Sequence, residues 1–212
     1  MHIVVFGGTG RIGSAVVRQA LAAGHRVTSV ARRAPTLRHE NLKSVIGDAQ
    51  EPSVAEEAVS EADVVVFAVG SRGTTSTVVR STSIAAVLKG MRANGVKRVI
   101  TVSPTAVAIS RKAPLLRKLW LRYFVHKRQR NPFNDVERVE DELTGFCPDI
   151  DWSIVRSSRV RDAPATGTYQ VIPDGELRNE RPVSVSDLAD YLITSAEDPS
   201  TYGTTVSVVG SP

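Results

Sequence analysis

The sequence predicts an α/β domain in which a doubly wound parallel sheet lies between two layers of helices. Short, β-branched apolar runs alternate with helix-length amphipathic stretches from the first residues onward. The run from Val64 to Val69 is apolar on both faces, which is typical of a parallel strand covered on both sides. A strict strand–helix–strand order requires crossover connections, and these make neighbouring strands parallel.

Five strands and three helices follow each other without interruption in the first half of the chain. The predicted strands are His2–Phe6, Arg26–Ala31, one that ends with Ser44–Ile46, Asp63–Val69 and Lys97–Val102. The predicted helices are Ile12–Ala23, Pro52–Ser60 and Thr77–Asn94. Gly24 and Gly95 follow two of these helices, where glycine commonly ends a helix, and Pro52 suits a first turn.

The regular order breaks after the fifth strand and then resumes. A charged helix is predicted at about Asn134–Leu143 and another helix at Ser186–Glu197. The later strands are predicted at Asp151–Arg156, Tyr169–Ile172 and Thr204–Val209. Because no linker or repeat is present, we expect residues 1–212 to form one domain with a basic, lid-like insertion at about residues 106–132.

The charge of the chain is unevenly distributed. The formal net charge is +5, and the segment from Val64 to Asn134 has no acidic residue but holds fourteen of the 27 lysines and arginines. The first thirty-nine residues also lack an acid, since Glu40 is the first. Two acid-free blocks on an otherwise acidic chain favour an anionic partner, which is a nucleic acid, a membrane surface or a phosphorylated small molecule.

Composition excludes several other classes of protein. Cys147 is the only cysteine, so no disulfide framework is possible within the chain and we expect a reducing, cytoplasmic compartment. No apolar run has membrane-span length, and the first residues show no secretory signal pattern. The four histidines are scattered without metal-ligand spacing, so we expect no metal site.

A glycine-rich loop follows the first strand and opens the first helix. Gly7, Gly10 and Gly13 are spaced by three residues in the run GGTGRIG. Glycines let a backbone turn tightly and approach a pyrophosphate, and the following helix N-terminus offers free N–H donors. In this position the spacing predicts a dinucleotide site in a Rossmann-like fold. The alternative is a tight strand–helix turn without a ligand.

The end of the second strand indicates which dinucleotide binds. An NAD site places an acidic residue there for the ribose hydroxyls, but the sequence reads Ala31-Arg32-Arg33. Arg32 and Arg33 can pair with a 2′-phosphate, and Arg11 of the glycine loop can reach the same phosphate. The sequence therefore predicts NADP(H) rather than NAD(H). Solvated surface charges are the alternative interpretation.

Two later strand ends carry further candidate contacts. Gly47 and Asp48 end the third strand, where Asp48 can contact the adenine or act as the N-cap of the next helix. Val69, Gly70 and Ser71 end the fourth strand, where the backbone must pass close to the ribose and glycine permits that approach.

These pieces together resemble the atypical short-chain dehydrogenase/reductase group, the small NAD(P)H-binding, NmrA-like proteins. Within that group the sequence is most similar to the flavin reductase/biliverdin reductase type. The motifs that carry the resemblance are GGTGRIG, VARR, GDA, AVGSR, GVKRVITVS, DWSIVR, TGTYQV and VSVSDLADYL. The candidate cofactor contacts are Gly7, Thr9, Gly10, Arg11, Ile12, Arg32, Arg33, Asp48, Ala49, Val69, Gly70, Ser71 and Ser103.

The resemblance also implies an active site beside Ser103, which matches the active-site serine/threonine region of the family. The family's Tyr-x-x-x-Lys pair would fall near Asn134 and Arg138, and neither can act as a phenolic acid. Tyr123 and Lys127 have the same spacing further upstream and share one helix face, although a chance match is easy in so basic a stretch. A flavin or quinone can take its proton from solvent, so it needs no such pair.

The segment Pro114–Lys127 is basic and amphipathic, and it allows three interpretations. It is a lid over the nicotinamide end, a helix at a membrane surface, or a surface helix packed on the domain. Its position after the fifth strand favours the first. We expect no membrane contact and, without a recognised motif, no nucleic-acid binding.

The sequence therefore predicts an NADPH-dependent oxidoreductase that is a monomer or weak homodimer. Its substrate is expected to be a small planar or anionic molecule, such as a flavin or quinone, that accepts a hydride. The alternative is a non-catalytic NADP(H)-binding redox sensor that regulates a partner.

Overall fold

The computed structural model describes residues 1–70, 78–105, 116, 130–174 and 181–211, and for 130–133 only the backbone. Eight strands form one sheet in the order β3-β2-β1-β4-β5-β6-β10-β8. The strands are β1 His2–Phe6, β2 Arg26–Ala31, β3 Leu42–Ile46, β4 Val64–Phe67, β5 Arg98–Pro104, β6 Asp151–Ser157, β7 Val160–Arg161, β8 Tyr169–Pro173, β9 Val183–Ser184 and β10 Thr204–Gly210. The helices are α1 Arg11–Ala22, α2 Pro52–Ala58, α3 Val79–Ala93, α4 Arg130–Phe146 and α5 Val185–Thr194.

The fold is the predicted Rossmann-like α/β fold, with one difference in the sheet. Seven strands are parallel, as predicted, but the edge strand β8 is antiparallel to β10. β8 is largely exposed, and antiparallel strands tolerate water on one face better than parallel strands do. The short strands β7 and β9 pair with each other outside this sheet.

Helices cover both faces of the sheet, and alternate residues of each strand enter different cores. Ile3 and Val5 of β1 pack with α1 and α5 on one face. Val4 and Phe6 pack with α2, α3 and α4 on the other face. All four side chains are fully buried, so β1 forms the centre of the three-layer arrangement.

Two boundary differences matter for the site. β4 ends at Phe67, two residues before the predicted end, so Ala68, Val69 and Gly70 leave the sheet as a loop. The helix predicted at about Asn134–Leu143 is longer and begins at Arg130. Among the described helices, none combines the length and the hydropathy needed to cross a membrane.

Some of the basic residues of the acid-free block have structural partners. Arg98 begins β5, is 5% exposed and donates to the carbonyl oxygen of Ser195, while its guanidinium lies 4.4 Å from the ring centre of Tyr202. Burial lowers the pKa of Arg98 to about 10. Arg92 pairs with Asp149 at 2.8 Å on the surface. These two cations therefore stabilise the fold at places remote from the glycine loop.

Candidate functional site

The glycine loop is held in a conformation that side chains would disrupt. Gly7 has φ +83°, and a Cβ atom there would lie 2.5 Å from the carbonyl oxygen of Ala68. A Cβ atom on Gly13 would lie 2.3 Å from the carbonyl oxygen of Gly7. The loop therefore turns tightly against the β4 end and lets α1 begin directly beneath it, for the physical reasons that the spacing predicted.

The N-terminus of α1 is arranged to receive an anion. Gly10 is the N-cap, and within the described part of the chain no side chain caps the helix and no acid occupies its first turn. The first N–H groups of a helix have no partner inside it, and the helix dipole adds partial positive charge there. This end of α1 thus offers free donors to a phosphate group.

A cleft of about 440 Å³ runs along the edge where β1, β2, β3 and β4 end. Nine of the predicted cofactor contacts lie on its wall. They are Gly7, Thr9, Gly10, Arg11, Arg32, Asp48, Ala49, Val69 and Gly70. The remaining wall residues are Val30, Ala31, Gly47, Ala68, Val79 and Ser83. The structure thus brings together the loops after four strands, which the sequence had identified one by one.

Other predicted contacts lie elsewhere. Ile12 packs partly buried against the core, and Ser103 is buried on β5, one strand beyond the cleft. Arg33 borders a second cleft of about 340 Å³ on the other side of the glycine loop, together with Arg18. Ser71, Tyr123, Lys127 and most of the insertion at residues 106–132 lie outside the described residues.

Among the described residues of the main cleft wall, Arg32 is the cation without a partner. It is exposed, and it makes no hydrogen bond or ion pair with the described residues. No acidic side chain follows β2 before Glu40. A guanidinium in this setting can pair with a phosphate group without first leaving a carboxylate.

Arg11 lies on the cleft wall as predicted, but its side chain also has an acidic partner. Its Nε donates to Oδ1 of Asp162 at 2.7 Å, and both side chains are exposed. Asp162 follows β7, so this ion pair joins the glycine loop to the C-terminal part of the chain. The contact of Arg11 with a 2′-phosphate stays a prediction, and it would require the guanidinium to leave Asp162.

Asp48 lies on the cleft wall, and the helix-cap alternative for it is wrong. Its Oδ1 accepts from the backbone N–H of Gln50 at 3.0 Å, which is a local turn. The N-cap of α2 is Glu51, which is three residues further on. The carboxylate of Asp48 therefore shapes the β3–α2 corner and does not cap the helix.

The N-terminus of α3 is capped by a residue of α4. Fully buried Asp135 accepts from the backbone N–H groups of Arg80 and Ser81, each at 2.9 Å. Arg80 in turn donates from Nε to the carbonyl oxygen of Val69 on the cleft wall at 3.1 Å. Burial lowers the pKa of Arg80, and nearby Asp135 partly opposes that shift. No pattern in the sequence predicts this contact, because its partners are 54 and 55 residues apart.

The carboxylate of Asp187 binds the segment that follows Asp162. Asp187 accepts from the N–H groups of Thr166 and Gly167 and from the hydroxyls of Thr166 and Ser184. Burial acts to raise the pKa of Asp187, but these hydrogen bonds outweigh it and lower the pKa. The motifs TGTYQV and VSVSDLADYL, which are separate in the sequence, therefore meet through Asp187, and Tyr169 adds a hydrogen bond to Asp190.

Ser103 lies at the far end of β5. It is 2% exposed, and its hydroxyl has no hydrogen-bond partner among the described residues. Since Phe67 of β4 is paired with Thr101, Ser103 is level with Val69 of the cleft wall. On its other side it is paired with Arg156, whose guanidinium binds Glu140 of α4. A buried hydroxyl without a partner is costly, so this one is suited to a ligand.

The positions expected for the family's Tyr-x-x-x-Lys pair are both on α4. Asn134 and Arg138 are exposed there. Neither side chain can donate a phenolic proton. The structure thus supports the view that an acid of this kind is missing from α4.

The chain matches a family model described as NAD(P)H-binding over residues 7–199. Solved structures with a similar fold include a short-chain dehydrogenase/reductase from Veillonella parvula in complex with NADP, with a TM-score of 0.77, 22% identity, and coverage of 100% of this chain and 94% of that one. Another is ChuY, an anaerobillin reductase from Escherichia coli, with a TM-score of 0.77, 19% identity, and coverage of 99% and 97%. At these identities the likeness shows the fold alone.

A curated relative is the photosystem II assembly factor Ycf39 from Synechocystis. It is 31% identical over 122 residues, which are 55% of this chain and 37% of that protein. The match thus spans little more than a third of the relative's length.

Proposed function

The chain belongs to the NAD(P)H-binding family, and we propose that it is an NADPH-dependent reductase that passes a hydride to a planar acceptor such as a flavin or quinone. The family match confirms the resemblance to NAD(P)H-binding proteins that the motifs indicated. The observation that carries the choice of NADPH is Arg32, a cation on the cleft wall directly after β2 that has no partner in the described part of the chain.

The described residues fit such a cofactor. The backbone from Gly7 to Gly10 and the open N-terminus of α1 would hold the pyrophosphate. Arg32 would hold the 2′-phosphate, which an acid at that place would repel. Asp48 and its neighbour Ala49 would border the adenine. Among the described residues, beyond its chain neighbours, nothing would lie within 4 Å of a Cβ atom on Gly70, so this part of the wall leaves room for the ribose.

Ser103 would orient the acceptor. The reduced nicotinamide supplies the hydride when the cofactor is bound. The hydroxyl of Ser103 would donate a hydrogen bond to an oxygen or nitrogen of the acceptor ring, and its lack of a protein partner supports that role. Its place level with Val69 puts it next to the cleft, where two planar rings could be held in line.

The proposed acceptor class is supported by the lack of a phenolic proton donor at the two positions of α4 where the family resemblance places it. A ketone needs an acid at the moment of hydride transfer, whereas a reduced flavin or quinone can take its proton from solvent. Asn134 and Arg138 occupy the positions where relatives carry the acid, and both are unsuited to the task. The same observation supports a second candidate, an NADP(H)-binding sensor without turnover.

Oxidation of NADPH in the presence of a panel of flavins and quinones separates the two candidates. We expect at least one acceptor to oxidise NADPH, and to do so faster than it oxidises NADH. The Ser103→Ala variant should lower turnover with that acceptor while leaving NADPH affinity largely unchanged. Tight NADPH binding without oxidation by any acceptor would contradict the reductase and favour the NADP(H)-binding sensor.

A further inference from the structure

Ser83 of α3 is a buried polar residue on the wall of the main cleft. It exposes none of its surface to solvent, so it lies at the innermost part of the wall. Its hydroxyl has no hydrogen-bond partner among the described residues. Four other buried polar atoms share this state, on Ser29, Arg98, Ser103 and Ser207, but none of those residues lies on this wall.

The position of Ser83 on α3 shows which end of the cleft it borders. Residues 83, 87, 90 and 94 form one stripe along the helix. A Cβ atom on Gly90 would lie 2.9 Å from the Cα of Glu56, and Asn94 donates to the carbonyl oxygen of Glu56. This stripe therefore faces α2. Because α2 follows Asp48 and the β3 end, Ser83 lies on the side of the cleft where the adenosine half of a dinucleotide would lie.

We propose that the hydroxyl of Ser83 hydrogen-bonds the adenosine part of the bound dinucleotide. This inference rests on the proposed function, since it assumes that the cleft holds NADPH. A serine hydroxyl both donates and accepts, and adenosine offers ring nitrogens, an exocyclic amine and ribose hydroxyls. Leaving a buried hydroxyl unpaired destabilises the ligand-free protein, and a bond to the ligand would remove that penalty.

This role has a signature that a purely structural serine would not show. Ser83→Ala removes an unpaired hydroxyl and places a better helix former in α3. The melting temperature of the ligand-free variant should therefore be about 2–4 °C above that of wild type. At the same time the variant should bind NADPH about 3- to 10-fold more weakly. Stability and affinity thus change in opposite directions.

The test is calorimetric titration of wild type, Ser83→Ala and Ser207→Ala with NADPH, adenosine 2′,5′-bisphosphate and nicotinamide mononucleotide. Ser207 is a matched control, because it is another buried serine with an unpaired hydroxyl but lies on β10, off the cleft wall. We expect Ser83→Ala to weaken NADPH and the bisphosphate by the same factor, to leave the mononucleotide unchanged, and Ser207→Ala to match wild type in all three.

Two results would overturn the assignment of Ser83. One is unchanged NADPH affinity in Ser83→Ala, and the other is an equal loss for the mononucleotide. If wild type binds neither NADPH nor the bisphosphate, the proposed function itself fails and this inference fails with it. The wild-type titration therefore distinguishes the two failures.

Discussion

Arg32 and Arg156 lie at the same edge of the sheet, near the ends of β2 and β6, and have opposite surroundings. Arg32 is exposed and has no partner within the described ranges. Arg156 is 7% exposed, donates to Glu140 at 2.7 Å and also binds Asp174. The two arginines therefore have different roles. The guanidinium of Arg32 can bind a ligand, whereas that of Arg156 forms ion pairs that stabilise the fold.

The same contrast extends to the two halves of the molecule. In the half built on β1–β4, the α1 N-terminus, Arg32 and the hydroxyl of Ser83 lack partners within the described chain. In the half built on β6, β8 and β10, the buried charges of Arg156 and Asp187 are matched by protein groups, and the unpaired hydroxyl of Ser207 lies off the cleft wall. Unsatisfied polar groups gathered along one cleft indicate a place for a ligand, whereas satisfied ones indicate structure.

The largest effect is expected where the charge is paired and buried. Arg156→Met leaves Glu140 buried without its partner, so the free energy of unfolding should fall by about 3–5 kcal/mol. Urea denaturation measures this loss. Adding Glu140→Leu should restore most of it, because a buried pair replaced by apolar side chains is often no less stable. A loss below about 1 kcal/mol for the single variant would show that the pair is not structural.

The corresponding substitution at Arg32 should affect binding instead. Arg32→Met should change the free energy of unfolding by less than about 0.5 kcal/mol, since it removes no hydrogen bond or ion pair to the described residues. NADPH affinity should fall by about 10- to 100-fold with the loss of a charge-assisted pair, while NADH affinity stays the same. Titration calorimetry measures both, with Arg38→Met as the control, because Arg38 is an exposed arginine of the same loop that lies off the cleft. An equal loss of NADPH affinity in Arg32→Met and Arg38→Met would show that the effect comes from the net charge and not from the position of Arg32.

A smaller effect is expected at the ion pair that joins the two halves. Asp162→Asn removes the carboxylate that holds Arg11, so dinucleotide affinity should rise by about 2- to 5-fold. A gain for NADPH alone would place Arg11 at the 2′-phosphate, as the sequence predicted, and an equal gain for NADH would place it at the pyrophosphate. Asp149→Asn, which breaks a similar pair with Arg92 remote from the cleft, is the matched control. Unchanged or weaker binding in Asp162→Asn would show that this carboxylate does not compete for Arg11.

The half of the fold built on β1–β4 could be predicted from the sequence because the patterns that determine it are local. β1 and β2 have the predicted bounds, and α1 differs from the predicted helix by one residue at each end. The glycines, the apolar runs and Arg32 all act within a few residues of their place in the chain. For the same reason, nine residues of the cleft wall could be predicted from the glycine motif and from the ends of β2, β3 and β4.

The other half could not be predicted so fully, because its contacts join distant residues. The antiparallel pairing of β8 and the cap that Asp135 provides for α3 depend on how the chain returns to the sheet. Ser83 looked like one more polar residue of a helix, and only its burial beside the cleft distinguishes it. Arg11 was expected at a phosphate, and its acidic partner is 151 residues away.

The central claim is that the free arginine after β2 selects the phosphorylated dinucleotide. Calorimetric titration of the wild-type protein with NADPH and with NADH, at the same salt concentration, tests it most directly. If Arg32 recognises the 2′-phosphate, NADPH should bind at least about tenfold more tightly than NADH. NADH binding as tightly as NADPH would contradict it, because Arg32 would then have no phosphate to recognise.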